Sequence, residues 1–213
     1  MIKYLRADEL RKYPILQESM FRDRADQFKR RLKWGVKVNE HGWETDEYDA
    51  LNPLYVIAIA PDGAHLGSMR FLPTLGRTII NDHFGHLLNG HVIADAAIWE
   101  CTRFCLGPQA GAGLAGQLMS AGGEILKCFG LGGFAGVFDE RMVRIYNRIG
   151  SGPEILGAEG HGIDRISVGI WRFSDSARAR VSRRSGLSQA AMTHWFKCRF
   201  GEVACNPFSA TTA

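Results

Sequence analysis

The 213-residue sequence predicts an α/β (or α+β) sandwich built around one mixed sheet. Three observations carry this reading. First, "LYVIAIA" (54–60) and "HLGSMRFLP" (65–73) are apolar segments joined by the tight turn "PDGA", which makes an antiparallel hairpin. Second, from residue 97 onward strand-like and helix-like segments alternate. Third, 46% hydrophobic and 23% charged residues are the composition of a globular chain able to bury one sizeable core.

Taken in order, residues 1–6 read as a short first strand. Residues 14–33 read as a helix: Pro14 suits a helix start, and Leu16, Met20, Phe21, Ala25, Phe28 and Leu32 form an apolar stripe against a charged face. Residues 35–53, with Gly, Asn, Asp and Pro, read as a loop. The hairpin follows, and then a short helix near "INDHFGHLL". "AIWECTRFCL" (97–106) reads as a buried strand, although it carries Glu100 and Arg103. "GLAGQLMSAGGEILKCFG" (113–130) is a helix despite its glycines, and "GFAGVFD" (133–139) a strand. "ERMVRIYNRIG" (140–150) is an amphipathic helix with Met142, Val143, Ile145, Tyr146 and Ile149 inward, ended by Gly150. "RISVGIWRF" (165–173) is a strand, and the tail beyond it holds one or two more helices. No internal repeat is present.

Charge and cysteine usage narrow the function classes. A net charge of +4 permits an acidic partner without demanding nucleic acid. The basic run "RARVSRR" (178–184) lacks interleaved aromatics and reads as a solvated face. Five cysteines, at 101, 105, 128, 198 and 205, show no CxxC spacing and read as reduced thiols. The N-terminus has no apolar signal region, and no run approaches the ~18 apolar residues of a membrane span. A cytoplasmic location with no membrane span is expected.

Among motifs, "GAGLAG" (111–116) matches GxGxxG, follows a strand and opens a helix, the outline of a dinucleotide fingerprint. A nicotinamide-dependent oxidoreductase is therefore the alternative function. Against it, "GPQA" intervenes between strand and motif, and half the chain precedes it. No HExxH or GxSxG occurs, and the cluster of His83, His86 and His91 lies near no cysteine, so no metal is expected.

What remains is a dispersed series of charges in apolar company. Glu100 and Arg103 are the sharpest case. In a regular strand they point to opposite faces, so either a bulge near residues 101–104 brings them together or they serve different faces.

The series Arg24-x3-Phe28-x5-Trp34, then "ETDEYD", "GSMRFLPT" and "WECTRF", resembles the acyl-homoserine-lactone synthases, the autoinducer synthases of quorum sensing, from about residue 20 to 150. The resemblance implies an N-acetyltransferase-like three-layer sandwich with a V-shaped cleft between two splayed strands, "WECTRFCL" and "GFAGVFD". It treats 1–213 as one domain, with residues 1–50 a mobile cofactor-site region and 174–213 a divergent tail. The implied reaction transfers an acyl group from an acyl-acyl-carrier-protein, or an acyl-CoA, to the amine of S-adenosylmethionine, then closes a lactone and releases methylthioadenosine. Matching positions assign catalysis to Glu100, Arg103, Asp46, Asp49 and Arg70, and cofactor binding to Arg24, Phe28, Trp34, Thr102 and Phe104. Within that assignment Glu100 is the base, Arg24 or Arg103 the carboxylate clamp, and Arg70 a brace for the acids. A basic docking face for an acidic carrier falls to Lys127, Arg141, Arg144 and Arg148, the three arginines sharing one helix face.

Overall fold

The structure, a computed structural model, describes residues 1–202; the tail beyond, with Cys205, lies outside the described residues. Strands β1 (Ile2–Arg6), β2 (Leu54–Ile59), β3 (His65–Pro73), β4 (Ile98–Leu106), β5 (Gly133–Asp139), β6 (Glu154–Glu159) and β7 (Ile166–Arg172) form one sheet. Their order across it is β1-β2-β3-β4-β5-β7-β6. All neighbours are antiparallel except β4 and β5, the parallel pair at its centre. The helices are α1 (Pro14–Arg24), α2 (Ile79–His83), α3 (Leu114–Cys128), α4 (Glu140–Ile149), α5 (Asp175–Ser185) and α6 (Gln189–Phe200).

Strand alternation sends β2 side chains to two cores. Val56 and Leu54 join Phe71, Leu118, Ile125, Met192 and Phe196 beneath α3 and α6. Tyr55 and Ile57 pack with Leu16, Met20 and Phe21 of α1 on the other face. Helices thus cover both faces, which makes three layers. A third cluster, Ile80, Leu87, Ile98, Ala135, Val168 and Ile170, packs α2 near the centre of the sheet.

Three expectations need correction. The helix expected over 14–33 is α-helical only to Arg24 and continues as a π-helix over Ala25–Arg31. An apolar stripe does not distinguish the two hydrogen-bond registers, and such π segments frequent functional sites. The edge strand β6 was not anticipated, because its exposed residues show no alternation to read. On α4, Tyr146 and Ile149 are buried, but Ile145 is 38% exposed and borders a cleft instead of the core.

Candidate active site

The parallel pair at the centre does not stay paired. Ile98–Glu100 of β4 match Gly133–Ala135 of β5, and there the ladder stops. Both strands run on, to Leu106 and Asp139, and so diverge into a V. A β-bulge sits where they part. Ser68 faces Cys105 and Arg70 faces Thr102, so β4 carries one extra residue, and Arg103 there has φ 52°. Two backbone groups of the parted strand are met by Gln27 of the π-helix, whose amide donates to Phe104 O (3.0 Å) and accepts from Leu106 N–H (3.3 Å). The resulting cleft encloses about 780 Å³.

A buried network of three arginines and three carboxylates forms its wall. Arg24 donates through Nε to Glu44 (2.6 Å) and through both Nη atoms to Asp49 (3.2 and 3.1 Å). Arg70 forks onto Asp46 (2.5 and 2.9 Å), reaches Asp49 (2.7 Å) and donates to Thr102 Oγ1 (3.1 Å). Arg103 donates to Glu44 (3.0 Å) and Asp46 (2.7 Å). Tyr55 closes the set through a short hydrogen bond from its hydroxyl to Asp49. Arg24, Glu44 and Arg70 are wholly buried. Burial of this kind is tolerable because each charge has opposite partners in bidentate geometry. Burial alone would raise the Asp46 and Asp49 carboxyls; the guanidiniums of Arg70, with Arg103 and Arg24 respectively, hold both below the usual carboxylate range.

The sequence-assigned residues divide by where the fold puts them. Asp46, Phe28, Trp34, Thr102, Arg103 and Phe104 border the cleft. Arg24, Arg70 and Asp49 are the part of the network that does not border the cleft and braces it from within; Glu100 does not border the cleft either and lies beneath the start of α2. Of the two carboxylate clamps considered, only Arg103 therefore faces the cleft; the Arg24 guanidinium is spent on protein carboxylates. Phe28 and Trp34 stack on each other, with centroids 5.1 Å apart and planes at 13°, and Arg103 lies over Phe28 at 5.4 Å. Glu100 and Arg103 do not pair. Glu100 instead accepts N–H bonds from Ile79 (3.1 Å) and Ile80 (2.7 Å) at the start of α2. Burial pushes its carboxyl up to about 7, against the opposing pull of those N–H groups and of Arg70 and Arg103.

Sequence reasoning passed over Glu44, Tyr55 and Gln27. Glu44 lies in the quoted "ETDEYD" two residues before Asp46, and that spacing in an extended segment was the available signal. Tyr55 and Gln27 gave none, because a strand tyrosine and a helix glutamine are ordinary.

Arg141, Arg144 and Arg148 line a second groove with Arg165 and Glu140, about 670 Å³ in volume, and none of these four arginines has an ion pair among the described residues. Arg141 and Ile145 border both this groove and the cleft. Lys127, exposed in the last turn of α3, lines neither.

The last two glycines of "GAGLAG" have a packing role. Gly113, at φ 89°, caps the start of α3, and a Cβ on Gly116 would sit 3.2 Å from the Ser185 Cβ of α5. These glycines let two helices meet, and nothing among the likenesses below supports the oxidoreductase alternative. Among the described residues, no three or more His, Cys, Asp or Glu are grouped to hold a metal ion, and no helix is long and apolar enough to cross a membrane.

Residues 8–183 match the autoinducer synthase family. An acyl-homoserine-lactone synthase of Rhizobium etli is 36% identical over 199 residues, 90% of this chain and 93% of that protein. The structure of MesI, a CoA-dependent acyl-homoserine lactone synthase, superposes with TM-score 0.77 at 25% identity, covering 88% of this chain and 96% of MesI. BjaI, another CoA-dependent synthase, solved with SAM and isopentyl-CoA, shares the fold at TM-score 0.77 and 22% identity, over 88% of this chain and 90% of its own. At 13% identity, a putative N-acetyltransferase from Lactobacillus plantarum shares the same architecture, with TM-score 0.53 over 81% of this chain and 99% of that one. The family match along most of the chain, and a relative similar over nearly its full length, lead to one conclusion: this protein belongs to the autoinducer synthases and is an acyl-homoserine-lactone synthase, an acyltransferase.

Proposed function

We propose that the cleft holds S-adenosylmethionine at its charged end and an acyl thioester along its apolar length. The observation that supports this most is the placement of Asp46 and Arg103 on the cleft wall where β4 and β5 part, Asp46 held by Arg70 and Arg103 by Glu44. S-adenosylmethionine brings a sulfonium, an ammonium and a carboxylate. Asp46 offers charge to the cationic groups, and Arg103 offers its remaining N–H donors to the carboxylate. Phe28 and Trp34 offer aromatic faces to the adenine and the sulfonium. Thr102 Oγ1 already accepts from Arg70, so its own hydrogen is free to donate toward the substrate.

The amine nitrogen, once deprotonated, attacks the thioester carbonyl; a C–N bond forms, the C–S bond breaks, and the thiol leaves. The substrate carboxylate then attacks its own γ-carbon. That C–O bond replaces the bond to the sulfonium, and neutral methylthioadenosine departs. Glu100 is the proton acceptor in this reading. It lies one layer off the cleft, beneath the cleft-lining Ile79, so the proton reaches it through water; its pKa of about 7 and the lone pair each oxygen keeps beyond the Ile79 and Ile80 bonds suit that task. Glu100→Gln with full turnover would refute that role.

For the donor, the arginine groove joining the cleft at Arg141 supports an acidic acyl-carrier protein whose pantetheine arm enters between β4 and β5. The likeness to MesI favours a second reading, an acyl-CoA whose phosphates meet the same arginines. Purified protein, S-adenosylmethionine and each donor in turn, followed by mass spectrometry of lactone and methylthioadenosine, decide between them. If neither donor yields both products, the proposed chemistry is wrong.

A further inference from the structure

We infer that Gly122 and Gly123 of α3 set the length of acyl chain this enzyme accepts; the inference rests on the apolar cleft holding the acyl group, as proposed above. Met119, Ser120, Gly122, Gly123 and Leu126 border the cleft and share one helix face, spaced i, i+1, i+3, i+4 and i+7. Two adjacent glycines in the middle of a 15-residue helix oppose helix formation. What they allow is close approach of α3 to the side chains that share the cleft border with it. A Cβ on Gly122 would lie 3.3 Å from Met69 Cε and 3.5 Å from both Phe71 Cζ and Phe134 Cε2. One methyl therefore fits with a small shift of the flexible Met69, whereas a branched side chain must project into the cleft. Gly123 faces α5, where its Cβ would lie 3.9 Å from Arg178 Cγ. A methyl there meets Arg178 at ordinary contact distance; a larger side chain would press on an Arg178 that Glu124 (2.7 Å) and Gln189 (2.6 Å) hold in place. A long acyl tail passing between α3 and the sheet must cross bare glycine backbone, while a short one stops before it.

The test compares wild type, Gly122→Ala and Gly122→Val across saturated thioester donors from butanoyl to dodecanoyl, reading kcat/KM for each. Gly122→Val is expected to cut the dodecanoyl value relative to the butanoyl value by about tenfold or more, since an apolar pocket discriminates small steric differences on this scale. Gly122→Ala should move the same ratio in the same direction, by less, with thermal stability kept or raised because Ala favours helix; it serves if the Val variant does not fold. An unchanged ratio in both variants overturns the inference. A wild-type enzyme that makes lactone from no thioester overturns the underlying reading instead, and the two failures are thereby separate.

Discussion

Replacing Glu100 with Gln, and following stability from about pH 4 to about pH 8, tests the electrostatics of the site directly. In the folded chain the carboxyl titrates at about 7; its ordinary value is 4.5. Between those values the folded state holds a proton that the unfolded state has lost, so stability falls as pH rises. At ~1.4 kcal/mol per pH unit, the displacement amounts to about 3 kcal/mol, complete above pH 7. Other groups act in or near this window. Burial depresses the His65 pKa despite Asp23 beside it, so His65 contributes stability that is lost as pH falls through its ordinary 6.5. Asp46 and Asp49, held low, contribute stability that is lost only on stronger acidification. The difference between wild type and Glu100→Gln cancels these. Urea unfolding at each pH should therefore show the variant gaining about 3 kcal/mol on wild type between pH 4 and pH 8. Its amide facing the Ile79 or Ile80 N–H adds a constant cost of about 1–3 kcal/mol, which shifts the curve and leaves its slope alone. A difference that does not vary with pH would refute the reasoning, because a carboxyl with an ordinary pKa contributes no slope above pH 5.

Further outcomes follow from the same geometry. Arg70→Leu leaves Asp46 with Arg103 and Asp49 with Arg24, so three carboxylates share two guanidiniums; one uncompensated buried charge should cost about 3–5 kcal/mol, lowering the thermal midpoint by about 10 °C or more in calorimetry. Arg103→Lys keeps the charge but loses the fork onto Glu44 and Asp46; isothermal titration should show S-adenosylmethionine affinity down by about tenfold or more, with the fold intact by circular dichroism. Reversing Arg141, Arg144 and Arg148 to Glu should raise KM for the acyl donor and weaken its salt dependence, while KM for S-adenosylmethionine stays within about twofold. Removing the Gln27 amide with Gln27→Leu leaves Phe104 O and Leu106 N–H unmet, and hydrogen exchange at β4 should quicken there before it does at β2.

Much of the fold was legible because it rests on local patterns. Short apolar runs located β2 and β3, the Gly63 turn (φ 90°) joined them, and Gly150 (φ 94°) ended α4 at the expected place. Residue type and spacing along "ETDEYD", "GSMRFLPT" and "WECTRF" marked the charged series, because charges in apolar segments require partners. What the sequence could not determine is which charge meets which. Arg24 and Asp49 are 25 residues apart, and Arg103 and Glu44 are 59, so their pairing depends on how α1, the 44–49 segment and two strands converge. Only the tertiary structure decided that Glu100 sits under α2 away from Arg103, that β4 bulges and parts from β5, and that Arg103 alone of the three buried guanidiniums looks into the cleft. The physical reason is that hydrophobic periodicity and turn chemistry act over a few neighbouring residues, whereas the pairing of buried charges is settled by desolvation and geometry across elements distant in the chain.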